Sequence, residues 1–449
     1  MYRLVLCLIV GLSVINLYGA EPFSFKGSQN ASIGVYISEI KTGRCVAQYN
    51  SGKNFVPASV QKCVTAATSQ MLLGDEPPFT TRAEIKAPII DGVLEGNLYI
   101  VGRGDPTLES RQFKERDGFI SSLIEWLTRN GIDSIAGEIV TDSRFYPSIG
   151  VSPYWLLEDT AWEYGAGLYG INYRDNSFSM TLRPGDEFVP ASNNVEVINL
   201  LRHGAKSDVM AMRGEGSGLL TVSGTLSTKS YTSRYSMPSP ELFLADDLIS
   251  ELRSSGIGVG GQSGLSDNED ILTFDYASPK RDEILKVTMF KSVNLFAEGM
   301  LRALTAKSEN RTFEGGIAIE CEFWTNKGVD LTNTRWLDGS GLSPVNRMSP
   351  RVLASILEYM AKSEISRKYV GLFPLAGKEG TVRYLLAKTR LAGSFALKSG
   401  SMNGVLCYAG YKLNSAKTPT HVVVIMVNGA SCKSAEIRSA ISRYLLSVF

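Results

Sequence analysis

The chain has 449 residues, 44% of them hydrophobic and 20% charged, with 46 Lys and Arg set against 45 Asp and Glu for a formal net charge of +1. That composition excludes a disordered or fibrous chain, and the charge balance leaves no global field to recruit nucleic acid or an anionic membrane, so recognition has to be local. Domains usually hold about 100–200 residues, so two or three are expected.

The first residues, MYRLVLCLIVGLSVINLYGA, carry Arg3, an apolar run from Leu4 to Leu17 and the small residues Gly19 and Ala20. This pattern predicts a secretory signal peptide over residues 1–20, cut after Gly19 or Ala20, and therefore an exported protein of the periplasm or cell surface. The apolar run falls short of the ~20 residues that span a bilayer, and no later segment is apolar enough, so no stable membrane span is expected after cleavage. Cys7 belongs to the signal, which leaves Cys45, Cys63, Cys321, Cys407 and Cys432. An odd set without CxxC spacing is no disulfide framework and reads as small core residues.

Residues 32–50, SIGVYISEIKTGRCVAQYN, alternate apolar and polar on both sides of a Lys-Thr-Gly turn and predict a β-hairpin. Pro57 then precedes SVQKCVTAATSQMLLG, where Val60, Val64, Ala67, Met71 and Leu72 repeat at helical spacing up to Gly74. From about residue 80 to 275 the texture changes to short β-like pieces with frequent Gly, Pro, Asn and Asp, which predicts an inserted β-rich region. Helices return in LKVTMFKSVNLFAEGMLRAL and SPRVLASILEYMAK, followed by the strand candidates SFALKSG, VLCYAGYKL and HVVVIMVNG and a last helix over about 433–448. The expected architecture is an α/β sandwich whose antiparallel sheet joins the two ends of the chain.

Only His203 and His421 are present and no G-x-S-x-G occurs, which speaks against a Ser-His-Asp hydrolase with a nucleophile elbow. With so few histidines and no cysteine pairs, no zinc ligands are evident, and no metal or cofactor is expected. A serine is also activated by an amine base, which requires Ser and Lys three apart on a helix so that both share one face. Ser59-Val60-Gln61-Lys62 meets that demand. To act as a base at neutral pH the lysine must lose roughly three units from its usual ~10.4, worth about 4 kcal/mol. Partial burial and a second ammonium supply such a shift, and Lys398 is the candidate for the second charge.

Short patterns are cheap, and the sequence contains decoys. Ser38-Glu39-Ile40-Lys41 fits S-x-x-K, Lys41-Thr42-Gly43 is literally K-T-G, and Ser266-Asp267-Asn268 is literally S-D-N. The first two belong to the predicted hairpin and the third to a loop-like segment, so none has the right context. By contrast, Ser59 opens an apolar helix, Ser292-Val293-Asn294 leads into NLFAEGML, and Lys398-Ser399-Gly400 ends an alternating strand.

The order S-x-x-K, S-x-N, K-[ST]-G is shared by penicillin-recognising serine enzymes. The flanks PASVQK, SVNLFAE, WLDGSGLSPVNRMSP, PLAGKEGTVRY and ALKSGSMNGVLCYAGY, with GNLYIVGRGDPTL, GEIVTDSRFY and YGAGLYGINYRDN from the insertion, resemble the D-Ala-D-Ala carboxypeptidase/endopeptidase family, the class C low-molecular-mass penicillin-binding proteins. The resemblance spans about residues 30–430. It implies a transpeptidase-like catalytic domain over 21–80 and 276–449, an inserted domain over 81–167 and 238–275, and a nested β-rich domain over 168–237.

By the same resemblance, Ser59 attacks the D-Ala carbonyl of a peptidoglycan stem peptide to form an acyl-enzyme while Lys62 takes its proton. Ser292 relays protons to the leaving D-alanine, Asn294 holds Lys62 and the substrate amide, and Lys398 adds positive charge. The hydroxyls of Ser399 and Ser401, flanking Gly400, bind the terminal carboxylate, and the backbone N–H groups of Ser59 and Ser401 form an oxyanion hole. Asp142 matches a position that contacts the amine of a diaminopimelate-type side chain, with Met402 lining the same site. β-Lactams are the implied covalent inhibitors. Ser399 replaces the commoner Thr and keeps its hydroxyl, whereas Pro344 stands where many relatives carry Arg, so the resemblance leaves the grip on the distal end of the stem peptide open. A β-lactamase or esterase with the same three motifs, or a wall-binding relative with a dead site, are the alternatives.

Overall fold

The computed structural model describes residues 21–449 except 148, 187, 193 and 263–271. The expected signal peptide and the Ser266-Asp267-Asn268 decoy lie outside the described residues. The hairpin forms from β1 (Ser32–Glu39) and β2 (Cys45–Tyr49). Its Lys-Thr-Gly segment makes the turn, with Gly43 at φ 72° and its N–H donating to the Glu39 carbonyl at 2.8 Å.

The three late strand candidates become β3 (Phe395–Met402), β4 (Val405–Leu413) and β5 (Pro419–Asn428). All five strands lie in one antiparallel sheet of order β3-β4-β5-β1-β2, closed by pairing of β1 with β5 from Ser32↔Asn428 to Glu39↔His421. The two ends of the chain therefore share one sheet.

Strand β5 shows why two layers cover this sheet. Val422, Val424 and Met426 point into one core with Val60, Val64, Leu353 and Leu357, while Val423, Ile425 and Val427 point into the other with Ile437, Ile441 and Leu445. Side chains alternate faces along a strand, so an unbroken apolar run needs cover on both sides. The first face is covered by α1 (Lys62–Leu72), α2 (Arg281–Lys291), α3 (Asn294–Ala303), α4 (Phe313–Asn326) and α5 (Pro350–Lys362), and the second by α6 (Ser434–Val448). Each fully buried aliphatic side chain contributes on the order of 2 kcal/mol.

Between Lys62 and Ser292 the chain builds smaller sheets. Leu272–Ala277, Thr80–Ile85, Leu98–Gly102 and Ile139–Asp142 form one, and Gly258–Val259, Ser134–Ile135, Val93–Leu94 and Ile89–Ile90 another. Within them nest a ribbon of Ser177–Leu182 with Tyr231–Ser236 and a sheet of Phe188–Ser192, Val195–His203, Leu219–Leu226 and Asp208–Met212. This stretch is not β structure alone, because helices occupy Phe119–Arg129 and Pro240–Ser254. Leu244, Leu248 and Leu252 recur every four residues and bury one face of the second helix, a period hidden among the surrounding strand-like pieces.

Two further expectations need correction. Cys63 and Cys407 are buried, but Cys45 is exposed and Cys321 and Cys432 are half-buried, so the thiols are not uniformly core residues. The run LKVTMFKSVNLFAEGMLRAL is not one helix. Ser292, at φ 61° and ψ 35°, ends α2 in a left-handed conformation, and Val293 is extended before α3 begins. Among the described residues no helix is long and apolar enough to cross a membrane.

Candidate active site

The turn that carries Ser59 is tighter than the expected α-helix. Ala58–Gln61 is a 3-10 turn feeding directly into α1, whose first residue is Lys62. In a 3-10 turn the side chains at i and i+3 eclipse one another, so this geometry stacks Ser59 and Lys62 more closely than an α-turn does. Ala58 is held at φ 47°, a left-handed conformation that costs about 1–2 kcal/mol for a non-glycine residue. The strain sits one residue before the candidate nucleophile.

Lys62 is fully buried, and its Nζ lies 2.9 Å from Ser59 Oγ, 2.6 Å from Asn294 Oδ1 and 2.8 Å from the Ser340 carbonyl oxygen. As an ammonium it donates to all three. As a neutral amine it keeps two N–H groups for the amide and carbonyl oxygens, and its lone pair accepts the Ser59 hydroxyl proton. Burial, and then the nearby Lys398 charge, hold Lys62 well below the usual lysine range, which favours the neutral form. Thus the site satisfies every Lys62 hydrogen bond in the state a base requires.

Lys398 reaches the cluster from β3, the edge strand of the sheet. It too is fully buried, with Nζ donating to Ser292 Oγ at 2.9 Å and to the Ser399 carbonyl at 2.6 Å, and burial brings its pKa down to about 8. The helix break described above aims the Ser292 hydroxyl at Lys398, while Asn294, starting α3, presents its amide to Lys62. Asn294 Nδ2 donates to the Tyr164 carbonyl at 2.7 Å, so a residue of the insertion orients this amide.

Gly400 explains itself by contact. A Cβ there would stand 2.7 Å from the Pro57 carbonyl oxygen and 2.9 Å from the backbone nitrogens of Ser59 and Val60, so only glycine lets the edge strand approach this turn. Ser399 donates its hydroxyl to Thr381 Oγ1 at 2.7 Å, Ser401 is exposed, and Met402 is half-buried at the end of β3. Hydrogen bonds tie Ser59 and Asn294 to Lys62 and tie Ser292 to Lys398, the charge of Lys398 acts on Lys62 across the gap between the two groups, and Gly400 packs against the Ser59 turn. Asp142 is engaged elsewhere: it ends the strand Ile139–Asp142 and accepts from Arg144 Nη2 at 2.7 Å and from the Arg144 backbone N–H at 3.0 Å. The Pro344 carbonyl accepts from Arg347 Nη1 at 2.9 Å, so a guanidinium lies beside Pro344.

Sequence reasoning missed the loop 338–343 as a wall of the site. Asp338 accepts from the backbone N–H groups of Gly341 and Ser343, from Asn346 Nδ2 and from Trp155 Nε1 of the insertion, all at 2.7–2.9 Å. Gly341, at φ 79°, packs where a Cβ would come within 2.0 Å of the Ala58 carbonyl. The run Asp338-Gly339-Ser340-Gly341, dense in turn residues, was the available signal. The decoys lack such support: Ser38 faces Glu358 from β1, and Lys41 is an exposed turn residue.

A two-sided α/β sandwich with a part-exposed serine beside two buried lysines at its sheet edge defines a serine acyl-transfer enzyme of the penicillin-recognising type. The D-Ala-D-Ala carboxypeptidase 3 (S13) family matches this chain over residues 26–447. The chain is 26% identical over 430 residues to the D-alanyl-D-alanine carboxypeptidase DacB of Haemophilus influenzae, covering 92% of this chain and 88% of that protein. It is also 26% identical over 414 residues to a D-alanyl-D-alanine carboxypeptidase of Actinomadura, covering 85% and 75%.

Its fold is similar to the crystal structure of penicillin binding protein 4 from Haemophilus influenzae, with a TM-score of 0.78 at 24% identity over 95% of this chain and 97% of that one. A predatory endopeptidase of Bdellovibrio bacteriovorus shares the fold at a TM-score of 0.52 and 15% identity, over 93% and 92% of the two chains. The protein belongs to the D-Ala-D-Ala carboxypeptidase 3 (S13) family of serine peptidases.

Proposed function

We propose that this enzyme cleaves peptidoglycan stem peptides through an acyl-enzyme on Ser59, releasing terminal D-alanine as a carboxypeptidase or opening D-Ala-diamino-acid crosslinks as an endopeptidase. The observation that carries the reading is the buried Lys62 amine 2.9 Å from Ser59 Oγ, shielded from water and flanked by a second amine. Lys62, neutral, accepts the hydroxyl proton as Oγ attacks the D-Ala carbonyl carbon. The resulting oxyanion is met by the backbone N–H groups of Ser59 and Ser401. When the tetrahedral adduct collapses, the C–N bond breaks and the departing amine needs a proton, which Ser292 delivers and Lys398 replaces through their 2.9 Å hydrogen bond. Water then hydrolyses the ester by the same groups in reverse.

Substrate orientation falls to the rest of the cleft. Asn294 holds the peptide amide, the Ser399 and Ser401 hydroxyls and the Lys398 charge receive the terminal carboxylate, and Met402 lines the pocket for the third stem residue. Asp142 is assigned to the amine of a diaminopimelate-type side chain, and the Arg144 pair opens when that amine binds. A β-lactam presents a strained amide to the same serine and remains as the ester. Residues 21–80 and 276–449 act as the catalytic domain, 81–167 and 238–275 as an inserted domain, and 168–237 as a domain nested within it. The working place is the periplasm or cell surface, where the wall polymer lies.

Fluorescent penicillin tests this directly. The purified protein is expected to carry a stable covalent label that vanishes in Ser59→Ala. An unlabelled wild type, or a labelled Ser59→Ala, overturns the assignment. Digesting peptidoglycan and weighing the released fragments by mass spectrometry separates D-Ala release from crosslink opening.

A further inference from the structure

Behind Lys62, on the side away from the cleft, a carboxylate is buried that takes no part in the steps above. Glu298 lies one helical turn beyond Asn294 on α3 and is 0% exposed. Its Oε2 accepts the backbone N–H of Gly339 at 2.9 Å, and its Oε1 accepts the backbone N–H of Ser340 at 2.8 Å. These two bonds clamp both carboxylate oxygens to consecutive amides of the loop 338–343. The Ser340 carbonyl, on the residue so clamped, accepts from Lys62 Nζ at 2.8 Å. The chain of contacts runs from Glu298 through the Ser340 backbone to the amine, without Glu298 touching Ser59 or facing the cleft.

We propose that Glu298 is a positioning residue for the amine base: it fixes the loop carbonyl that orients Lys62, and its charge sets the pH at which that amine becomes free to take the Ser59 proton. The inference rests on the Ser59–Lys62 reading and extends it. Two backbone N–H donors into one fully buried carboxylate give it the fixed geometry of an anion site, since a carboxylate accepts at both oxygens and a neutral acid or amide does not.

The charges around the pair come from every packed element. Lys62 and Cys63 lie on α1, Arg302 one turn further along α3, Glu320 on α4, Asp338 in the loop, and Lys398 on β3. Lys398 opposes a proton on Lys62, whereas Glu298 and then Asp338 favour it. Burial, and then the Asp338 charge, raise Glu298 itself to about 7, so its negative charge is complete only above that pH.

The sign follows from this arrangement. Glu298→Gln removes an anion that favours the ammonium, so Lys62 loses its proton at lower pH, and the acid limb of the acylation profile moves down by roughly one pH unit. The same substitution turns an amide N–H toward a backbone N–H and loosens the Ser340 carbonyl, so the plateau rate falls about tenfold. Glu298→Asp keeps the charge on a shorter arm and is expected to lower the plateau while leaving the limb in place.

The test measures second-order acylation of the full-length protein by a fluorescent penicillin from pH 5 to 10, with thermal unfolding as the check on folding. A downward limb shift in Glu298→Gln absent from Glu298→Asp supports the proposal. An equal fall in rate at all pH values, with no limb shift, overturns it and leaves Glu298 a purely structural clamp. Should Glu298→Gln not fold, Glu298→Asp decides alone, because a limb that moves although the charge is retained, or a plateau equal to the wild type, overturns the proposal. A wild type that takes no label under any condition sinks the parent reading instead, so the two failures are distinguishable.

Discussion

The sheet and the insertion present their cores in opposite ways. In the sheet, β5 runs through six consecutive buried residues, Val422 to Val427, that alternate between two cores, so pattern and structure coincide. In the insertion, strands as short as Val93–Leu94 and Ser134–Ile135 pair in parallel across distant segments, and their order depends on tertiary contacts rather than on local period. Yet the insertion is not a passenger. It supplies the Tyr164 carbonyl that orients Asn294 and the Trp155 N–H that holds Asp338, so the long, regular half provides the proposed reacting groups and the irregular half helps fix how they point.

Substitutions on the two sides sharpen this contrast. The largest effect is expected on the sheet side, from Gly400→Ala. Its methyl has no room against Pro57 and Ser59, and displacing the nucleophile by a fraction of an ångström is expected to slow penicillin acylation about 100-fold, read by stopped-flow labelling. An unchanged rate would mean that β3 and the Ser59 turn need not touch. A middle effect is expected from the insertion side: Trp155→Phe keeps the ring and removes one hydrogen bond to a buried carboxylate. About 1.5–3 kcal/mol of stability should go, visible in denaturant unfolding, with acylation falling about tenfold. If only stability moves, the insertion supports the loop without tuning the chemistry.

The smallest effect on catalysis belongs to Glu320, on α4 behind α1. Burial raises its carboxyl to about 8 against the opposing pull of the Thr68 and Thr65 hydroxyls, whose own geometric hydrogen bonds run to the Val64 and Gly339 carbonyls. A carboxyl whose folded pKa is raised above its unfolded 4.5 keeps its proton while the unfolded chain loses it. The folded state therefore binds more protons between about pH 4.5 and 8, and stability falls across that window as pH rises. Glu320→Gln is expected to abolish this fall, raising the unfolding temperature at pH 8 more than at pH 5, with labelling close to wild type. An equal change at both pH values would show that the carboxyl does not titrate there.

Legibility in the sequence follows the same divide. The hairpin, the three late strands and the last helix could be read because their periods were long and unbroken. That Ser59, Lys62, Ser292, Asn294 and Lys398 lie together could be read because the proposed chemistry demands those residue types at those spacings, in order. What escaped was backbone: the 3-10 turn at Ala58–Gln61, the left-handed Ser292 that splits an apparently continuous helix, and the carbonyls of Ser340 and Tyr164. Every residue owns a carbonyl, so no side-chain pattern marks the one that binds. Glu298 escaped for a related reason: within SVNLFAE it looks like an ordinary helix glutamate, and only the loop packed against it makes it buried.

The pairing of β1 with β5 has a consequence for when the enzyme comes to life. Translation makes the nucleophile early, but the strand that carries Lys398 and the one that closes the sheet against β1 are among the last segments to be made. Until they dock, Lys62 lacks both the burial and the companion amine that lower its proton affinity in the folded chain. A chain whose last strands have not yet docked therefore holds Ser59 and Lys62 without Lys398, and completion of the sheet is what assembles the site.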